Sequence, residues 1–502
     1  MTDLVLGIDV GTSGLKAVLL DGEGRIVDEA SASYDVHSPQ PGWTEQDPED
    51  WWTATRAVLG TLWQRGSSAD DIAAIGLTGQ MHSLVLVDEV GAVLAPAILW
   101  SDQRTAAECR EIDERIGAAE LIALTGNRAL PGFTAPKLLW VRRHWPDVYR
   151  RARSMLLPKD FVRFRLTDAH VTDISDASGT LLFDVRRRGW SEQVVQALDI
   201  APRLLPRAVE GIARTGAVSQ QASSATGLKT GTPVFAGGSD NAASAVGLNA
   251  VDPGLLTLSI GTSGVLFAPL DRYPTALDGR LHVFCHAVPD RWHLMAVTLS
   301  AGGSLHWLRD LLQPISPAAG DAAYEWLVER AAVAPVGSDG LVFLPYLTGE
   351  RTPHADPDAR GVFFGLHLGH RVEHLVRSVL EGVAFSQRQG LDLMRQAGAS
   401  TGLARGAGGG LSSPLWRQIL ADALGLSVQT TKSATGASRG AAVLAGLGAG
   451  LYSTSEVGVA WAQQTVDHPD PRRQAILDTS FSVYSALYPT LAPLFAASAA
   501  ST

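Results

Sequence analysis

Cysteine, long apolar runs and clustered basic residues are all scarce in this chain. Two cysteines, Cys109 and Cys285, occur among 502 residues. They cannot supply a disulfide framework or a zinc ligand set, so we expect buried free thiols and a reducing, cytoplasmic location. No apolar run reaches the roughly 18 residues of a membrane span, and the net charge of −10 comes without a basic cluster. We therefore expect neither a membrane nor a nucleic-acid partner.

Two common phosphate-binding motifs are also missing. No Gly-Lys dipeptide occurs in the sequence, which excludes a Walker A loop. No G-x-G-x-x-G pattern follows a strand and opens a helix, so a Rossmann dinucleotide site is not expected. Nucleotide chemistry in this chain must therefore depend on another kind of glycine turn.

The composition that remains is that of a large globular enzyme, with 46% hydrophobic and 18% charged residues. Single cores stop growing at about 250 to 300 residues, so the length predicts two domains with a cleft between them. Apolar, strand-like runs alternate with helical patterns, such as the one that Asp47 can cap in "DPEDWW". This alternation predicts an α/β fold whose sheets mix parallel and antiparallel neighbours.

The tetrapeptide Gly-Thr-Ser-Gly occurs twice, at residues 11–14 and 261–264, each time between two apolar runs. The shared context predicts two duplicated halves, with a chance repeat as the alternative. Glycines in such a turn let backbone N–H groups converge, and Thr12, Ser13 and Lys16 add further donors that suit phosphate oxygens. The simpler alternative is a pair of tight hairpin turns.

A third glycine cluster, "GAGGGLSSPLW", occupies residues 406–416 and leads into a helix that begins near Pro414. Consecutive glycines let a flat ring approach the backbone closely, which suits the face of a nucleoside. A flexible loop is the alternative.

Two aspartates stand among apolar neighbours. Asp9 ends the first apolar run, and Asp240 follows two glycines in "AGGSDNAA". A phosphoryl transfer needs Mg²⁺ at the phosphates and a carboxylate that accepts the proton of the attacking hydroxyl. The two aspartates can supply the metal site and the base. For Asp240 the alternative is a helix N-cap, worth about 1 kcal/mol.

A G-x-S-x-G pattern, formed by Gly436, Ser438 and Gly440, is typical of a hydrolase nucleophile elbow. Glycine is frequent in this chain, so such a match arises by chance. Only His468 follows it as a candidate triad partner. We therefore do not expect a hydrolase.

Ten longer segments occur in a fixed order: "LGIDVGTSGLKAVLLD", "GLTGQMHSLVLVD", "PAILWSDQRT", "LPGFTAPKLLWVRRHWPDVY", "LLPKDFVRFRLTD", "SDASGTLLFDV", "GGSDNAASAVG", "LSIGTSGVLF", "LPYLTGERTPHADPDARGVFFGL" and "HLVRSVLEGVAFS". Together they resemble the FGGY carbohydrate kinases from about residue 4 to residue 447. The resemblance implies an α/β fold of two actin-like (ribonuclease-H-like) domains around a central cleft. Residues 1–246 would form the sugar-binding domain and residues 247–502 the nucleotide-binding domain.

The resemblance also implies ATP and Mg²⁺ as cofactors and assigns roles to single residues. Asp240 would be the catalytic base. The sugar would be bound by Met81, His82, Asp240 and Asn241. The nucleotide and its phosphates would be bound by Thr12, Ser13, Lys16, Thr262, Ser263, Gly302, His306, Gly409 and Ser413. The metal would be held by Asp9 and Asp240.

The chain departs from the family pattern in places. Ser239 stands where the family often has a third glycine before Asp-Asn, Ser101 stands for an asparagine, and Leu411-Ser412 replaces Ala-Arg near the adenosine loop. Glycerol-using relatives carry Arg-Glu at the positions of Met81 and His82. A less charged, roomier pocket suits a five-carbon ketose.

The resemblance therefore implies an ATP-dependent ketopentose kinase that converts D-xylulose into its 5-phosphate. Within the family, the alternatives are kinases for ribulose, fuculose, gluconate or glycerol. From another class, the alternative is a non-catalytic actin-like or sugar-sensing protein, because a fold does not fix a function. The expected partner is a small sugar, and the sequence is compatible with a homodimer.

Overall fold

The computed structural model of the protein describes residues 3–275, 277–316, 318, 320–430, 436–453 and 465–499. Its architecture is built on two mixed β-sheets, one from each half of the chain.

The N-terminal sheet has the strand order β13-β14-β5-β1-β2-β3. Its strands are β1 (Leu4–Val10), β2 (Gly14–Leu20), β3 (Ile26–Ser33), β5 (Ile72–Gly79), β13 (Arg214–Ala217) and β14 (Pro233–Ser239). β2 is antiparallel to both β1 and β3, while β1, β5 and β14 run parallel. The first three strands thus form an antiparallel meander.

The C-terminal sheet has the order β17-β18-β16-β15-β21-β22-β23. Its strands are β15 (Gly254–Ile260), β16 (Gly264–Leu270), β17 (His282–Cys285), β18 (Trp292–Thr298), β21 (Thr401–Ala407), β22 (Ser427–Thr430) and β23 (Thr465–Asp467). β16 is antiparallel to β15 and β18, and β15, β21 and β22 run parallel.

The two sheets share one pattern. The order β3-β2-β1-β5-β14 in the first matches β18-β16-β15-β21-β22 in the second, with the same directions. Each Gly-Thr-Ser-Gly turn therefore joins the first two strands of its sheet. The predicted duplication and the α/β class of two actin-like domains are confirmed.

Among the residues that the structure describes, five short strand pairs lie outside the two sheets. They are β4 (Glu45–Gln46) with β7 (Ala97–Ile98), β6 (Val85–Val87) with β8 (Ser154–Leu156), β9 (Val171–Asp173) with β12 (Arg207–Val209), β10 (Phe183–Asp184) with β11 (Gly189–Trp190), and β19 (Val342–Leu344) with β20 (Val362–Phe364). Most of them belong to the large insertion between β5 and β13.

The first group of helices covers the N-terminal half. They are α1 (Pro48–Gln64), α2 (Ala106–Ile116), α3 (Ala118–Thr125), α4 (Thr134–His144), α5 (Pro146–Arg151), α6 (Pro158–Thr167), α7 (Ile174–Ser178), α8 (Glu192–Ala197), α9 (Gln220–Thr226) and α10 (Asp240–Gly247). Asp47 caps α1 as its sequence predicts, because its carboxylate accepts a hydrogen bond from the backbone N–H of Glu49 at 3.0 Å.

The second group of helices belongs to the C-terminal half. They are α11 (Gly302–Leu312), α12 (Asp321–Val333), α13 (Val372–Gln396), α14 (Pro414–Leu424), α15 (Gly436–Gly448) and α16 (Pro471–Ala499). Within the described ranges, no helix is long and apolar enough to span a membrane. Cys109 and Cys285 are both buried free thiols, as predicted.

Helix α15 comes late in the chain but packs against the N-terminal sheet. A Cβ atom built at Gly7 of β1 lies 2.0 Å from the carbonyl oxygen of Ser438, and one at Gly76 of β5 lies 1.9 Å from that of Ala441. A Cβ atom built at Gly440 would lie 1.7 Å from the carbonyl oxygen of Ala243 in α10, so this contact also requires glycine. The G-x-S-x-G pattern thus lies inside a helix that needs glycine for close packing, which explains it without a hydrolase.

Candidate active site

Three parallel strands of the N-terminal sheet bring the predicted sugar and metal residues together at their carboxyl ends. Asp9 is the second-last residue of β1 and pairs with Thr78 of β5, which also pairs with Gly238 of β14. The dipeptide Met81-His82 lies just beyond β5, after Gln80, and Asp240 directly follows β14. In open α/β sheets, ligands bind outside the carboxyl ends of the strands. This edge is therefore the expected place for a ligand.

Asp240 is the first residue of α10, and Ser239 occupies the N-cap position without a side-chain capping bond. The N-cap alternative for Asp240 is therefore wrong. One carboxylate oxygen, Oδ1, accepts hydrogen bonds from the backbone N–H of Asn241 at 2.7 Å and from its side-chain amide at 2.9 Å. Burial raises the pKa of Asp240 to about 6, against these two bonds. The carboxylate is held in place but kept basic.

Asp9 lies near Asp240, and its pKa is raised further than that of Asp240. Its Oδ1 atom is buried and has no hydrogen-bond partner among the described residues. Burial and the charge of Asp240 raise the pKa of Asp9 to about 7, while Lys16 lowers it. Lys16 pairs with Asp9 across β1 and β2, and its ammonium also lies 3.5 Å from Glu29. A buried carboxylate oxygen without a partner is suited to a cation.

His82 has a left-handed backbone, with φ of 68°. Its carbonyl oxygen accepts hydrogen bonds from Thr134 Oγ1 and Lys137 Nζ, both at 3.0 Å, which hold this strained conformation. Its Nδ1 lies 2.6 Å from the carbonyl oxygen of Gly179 and must donate to it. Burial lowers the pKa of His82 to about 3, and Lys137 and Arg351 add to the effect. The imidazole is therefore neutral, with Nε2 as an acceptor.

The space around this dipeptide depends on a glycine that the sequence alone did not identify. A Cβ atom at Gly179 would lie 2.7 Å from His82 Nδ1 and 2.9 Å from Met81 Cε. The aromatic rings of Phe133 and Phe284 flank the imidazole, with ring centroids 4.7 and 6.0 Å away. Phe284 belongs to β17, so the C-terminal half of the chain forms part of this pocket.

Residues of the first glycine turn form hydrogen bonds with neighbouring side chains. Thr12 Oγ1 accepts a hydrogen bond from the indole N–H of Trp100 at 2.9 Å and donates to Gln80 Oε1 at 3.4 Å. Tyr34 donates to the carbonyl oxygen of Gly11 at 2.5 Å. Ser13 is exposed. The hydroxyl of Thr12 is thus engaged within the protein, and its predicted role toward phosphate remains a prediction.

The C-terminal sheet carries a cavity of about 820 Å³ at the carboxyl ends of β15 and β21. Five of the predicted nucleotide residues line it: Thr262, Gly302, His306, Gly409 and Ser413. Ile260, Leu305 and Trp416 form its apolar part, and Tyr324, Glu325, Val328 and Glu329 of α12 close one side. Cavities of about 300 to 1,000 Å³ are typical of small-molecule sites. Ser263 belongs to the adjoining turn but not to the lining.

Glycine at the predicted positions permits close backbone approach. The carbonyl oxygen of Thr262 accepts hydrogen bonds from the N–H groups of Ala301 and Gly303, at 2.8 and 3.0 Å. A Cβ atom at Gly302 would lie 2.4 Å from the carbonyl oxygen of Gly261. These contacts fix the second glycine turn against the start of α11, and they engage the N–H groups of Ala301, Gly302 and Gly303 within the protein.

Ser413 and His306 are two of the polar cavity residues that contact other groups of the protein. Ser413 is the N-cap of α14 and accepts a hydrogen bond from the N–H of Trp416 at 3.3 Å. His306 is exposed, with Nε2 at 2.5 Å from an Arg309 nitrogen and 3.4 Å from Asp310. The sequence does not predict that α12 lines the cavity, because "YEWLVERA" is typical of any amphipathic helix.

The C-terminal sheet thus carries a cavity of a size typical of small-molecule sites, and the N-terminal sheet carries two buried carboxyl groups with raised pKa values. Comparison with known proteins agrees. Residues 4–247 match the N-terminal domain of the FGGY family of carbohydrate kinases, and residues 256–449 match its C-terminal domain. The chain belongs to the FGGY family of carbohydrate kinases, which use ATP.

Individual relatives resemble the chain over nearly its whole length. It is 41% identical to the xylulose kinase of Escherichia coli (strain K12), over 98% of this chain and 100% of that protein. The crystal structure of xylulose kinase from Rhodospirillum rubrum matches with a TM-score of 0.91 at 34% identity, covering 98% of this chain and 99% of that one. Gluconate kinase from Lactobacillus acidophilus matches with a TM-score of 0.91 at 28% identity and the same coverage.

Proposed function

We propose that this carbohydrate kinase transfers the γ-phosphoryl group of ATP to the 5-hydroxyl of D-xylulose. The observation that carries the proposal is the position of Asp240, at the end of β14 on the same sheet edge as Asp9 and His82. Full-length similarity to xylulose kinases, at 41% identity in one case, supports the choice of sugar. We assign sugar binding to residues 1–246 and nucleotide binding to residues 247–502.

The sugar would contact Met81, His82, Asp240 and Asn241. His82 Nε2 is an acceptor for a sugar hydroxyl, since Nδ1 donates to Gly179. The Asn241 side-chain amide supplies a donor next to the Asp240 carboxylate. Met81 is almost fully buried and presents an apolar wall. This set recognises an uncharged polyhydroxy compound.

The adenosine of ATP would occupy the cavity lined by Gly409 and Ser413, with its phosphates directed toward Thr262, Gly302 and His306. Ser263 and the first glycine turn, through Ser13, Lys16 and the N–H of Thr12, would meet the γ-phosphoryl group from the other side. Lys16 offers the only cationic side chain that the sequence places in either Gly-Thr-Ser-Gly turn region.

The carboxylates at the sheet edge fit a magnesium ion. Mg²⁺ is usually held by one or two carboxylates together with substrate phosphates. Asp9 supplies a buried oxygen without a partner, and Asp240 lies close enough to raise its pKa. Among the described residues, no group of three or more His, Cys, Asp or Glu side chains forms a metal cage. Asp9 and Asp240 would hold the ion, which when bound offsets the charge of the phosphates.

The reaction needs one proton transfer. Asp240 accepts the proton of the 5-hydroxyl as the bond from that oxygen to the γ-phosphorus forms and the bond from phosphorus to the β–γ bridging oxygen breaks, which releases ADP. Burial keeps Asp240 basic enough for this step, because it raises the pKa to about 6. The donors at both glycine turns stabilise charge on the transferred group.

A sugar panel tests the proposal. ADP release should be measured with D-xylulose, ribulose, fuculose, gluconate and glycerol, and kcat/KM should be highest for D-xylulose. Gluconate is the strongest competitor, because a gluconate kinase shares the fold with a TM-score of 0.91. If kcat/KM is higher for another sugar, D-xylulose is not the preferred substrate, and that sugar takes its place in the proposal. Release of no ADP with any sugar would reject catalysis altogether.

A further inference from the structure

A group of charged side chains lies fully buried in the N-terminal half. None of them is among the residues assigned to substrates. Its members are Lys159, Asp160, Arg163, Asp173 and Asp176. The ammonium of Lys159 lies 2.7 Å from Asp160, 2.7 Å from Asp173 and 3.0 Å from Asp176. Arg163 forms an ion pair with Asp160. We call these five residues the buried charge cluster.

The cluster holds two cations and three carboxyl groups. Burial raises the pKa of Asp176 well above its usual range, and the negative charges of Asp173 and Asp160 raise it further, against the effect of Lys159. Buried ion pairs seldom add stability over well-packed apolar residues. The cluster therefore calls for an explanation other than stability.

The cluster is connected to strand β14 at two points just before Asp240, once directly and once through Ser175. Arg163 Nη1 donates to the carbonyl oxygen of Ala236 at 2.9 Å. Ser175 Oγ accepts a hydrogen bond from the N–H of Ser239 at 2.9 Å and donates to Asp173 Oδ1 at 2.5 Å. A continuous path thus runs from Lys159 through Asp173 and Ser175 to the backbone next to Asp240.

These two contacts bracket an irregular part of the strand. The register between β14 and β5 shifts between Phe235 and Gly238, and Gly237 has φ of 73°. A Cβ atom at Gly237 would lie 1.7 Å from the carbonyl oxygen of Leu77, so only glycine fits. Such a bulge re-aims the residues that follow it. Side-chain hydrogen bonds, rather than regular strand pairing alone, hold its end.

We propose that Ser175 is a positioning residue for Asp240, which joins the buried charge cluster to the N–H of Ser239 and so fixes the direction of the Asp240 carboxylate. The inference rests on the proposed role of Asp240 as the base. Ser175 does not touch a substrate in this arrangement and acts only through the backbone of Ser239.

The test compares Ser175→Ala with Ser178→Ala. Ser178 is a matched control, because it lies on the same helix, is fully buried, donates to the carbonyl oxygen of Ile174 at 2.6 Å and accepts from the N–H of Cys285 at 3.1 Å. The melting temperatures of both variants should be lowered by similar amounts. Only Ser175→Ala should lower kcat, by about 10- to 100-fold, since small misplacements of a catalytic group have effects of this size. KM for sugar and ATP should change less than about threefold.

Two further measurements separate positioning from general damage. In an Asp240→Asn background, Ser175→Ala should lower kcat no further, because its effect passes through the carboxylate. Hydrogen exchange at Ser239, followed by mass spectrometry, should be faster in Ser175→Ala and unchanged in Ser178→Ala. This second measurement needs no catalytic activity.

A wild-type kcat for Ser175→Ala, an additive loss in the double variant, or unchanged exchange at Ser239 would each overturn the inference. If the wild-type protein releases no ADP with any sugar, the proposed function fails instead. The exchange experiment then still decides whether Ser175 fixes Ser239.

Discussion

Asp9 lies near the end of β1 and Asp240 directly follows β14, two strands separated only by β5, and the charge of Asp240 helps to raise the pKa of Asp9 to about 7. Two carboxylates that repel each other in a buried place weaken the fold. Such an arrangement is typical of functional sites, where local rules of stability are broken for chemistry. The proposed base and the proposed metal residue are thus electrostatically coupled.

The first prediction concerns the pH dependence of the reaction. Asp240 must be ionised to accept a proton, and its pKa is raised to about 6. We therefore expect kcat/KM to rise as pH increases through about 6 to 7 and to level off above that. The measurement is a pH profile with a coupled assay whose own enzymes are in excess. A profile that is already level at pH 5 would contradict the assignment.

The second prediction concerns the stability cost of Asp9. Its pKa lies at about 7 in the folded state against 3.8 as the ordinary value, so the folded protein binds the extra proton between these values. Stability is therefore lost as pH rises from 3.8 to about 7, and the loss is complete above that. Asp9→Asn should raise the melting temperature at pH 8, by roughly 2–4 °C for each kcal/mol of this loss that the variant removes.

The increase in melting temperature caused by Asp9→Asn should become smaller toward pH 5, where wild-type Asp9 is protonated in the folded protein. Activity should fall at every pH, and the Mg²⁺ concentration needed for half-maximal rate should rise. The exposed Asp290→Asn variant is the control and should leave both melting temperature and rate unchanged. A lower melting temperature for Asp9→Asn at pH 8 would refute the electrostatic argument.

The third prediction concerns sugar binding. His82→Ala removes an acceptor from a buried pocket, and one such hydrogen bond is worth roughly 1–3 kcal/mol, so KM for the sugar should rise about 10- to 100-fold. KM for ATP should not change. Gly179→Ala should also raise KM for the sugar, because the new methyl group would lie 2.7 Å from His82 Nδ1. His37→Ala, at an exposed position, is the control. A fall in kcat with unchanged sugar KM would assign His82 to chemistry.

Much of this arrangement follows from sequence, because strand ends and glycine turns leave local signals. The repeated Gly-Thr-Ser-Gly turns predict two equivalent sheets, and the acids after apolar runs predict Asp9 and Asp240 at their edges. Long-range contacts leave no such signal. Gly179 lies in a helical insertion, α15 crosses from the C-terminal half onto the N-terminal sheet, and Ser175 acts through a residue 64 positions away. These depend on the packing of distant segments.

The fourth prediction tests the nucleotide cavity. A Cβ atom at Gly409 meets no other atom within 4 Å, and Gly409 lines the cavity. Gly409→Leu should therefore fill the cavity without disturbing the protein, and KM for ATP should rise by at least tenfold while sugar KM stays constant. Gly60→Leu is the matched control, because Gly60 in α1 also has no neighbour within 4 Å. Unchanged ATP KM in Gly409→Leu would place the nucleotide elsewhere.

The fifth prediction concerns Asp240 itself. Asp240→Asn keeps the shape of the side chain but removes the base, and general base catalysis contributes typically 10² to 10⁴-fold, so kcat should fall by about that factor. The melting temperature should stay the same or rise, because burial penalises the charge that the variant lacks. Asp147→Asn is the control, since Asp147 also lies in the first turn of a helix but is exposed. A stable Asp240→Asn protein with wild-type turnover would show that the proton is accepted by another group, and the proposed mechanism would then be wrong.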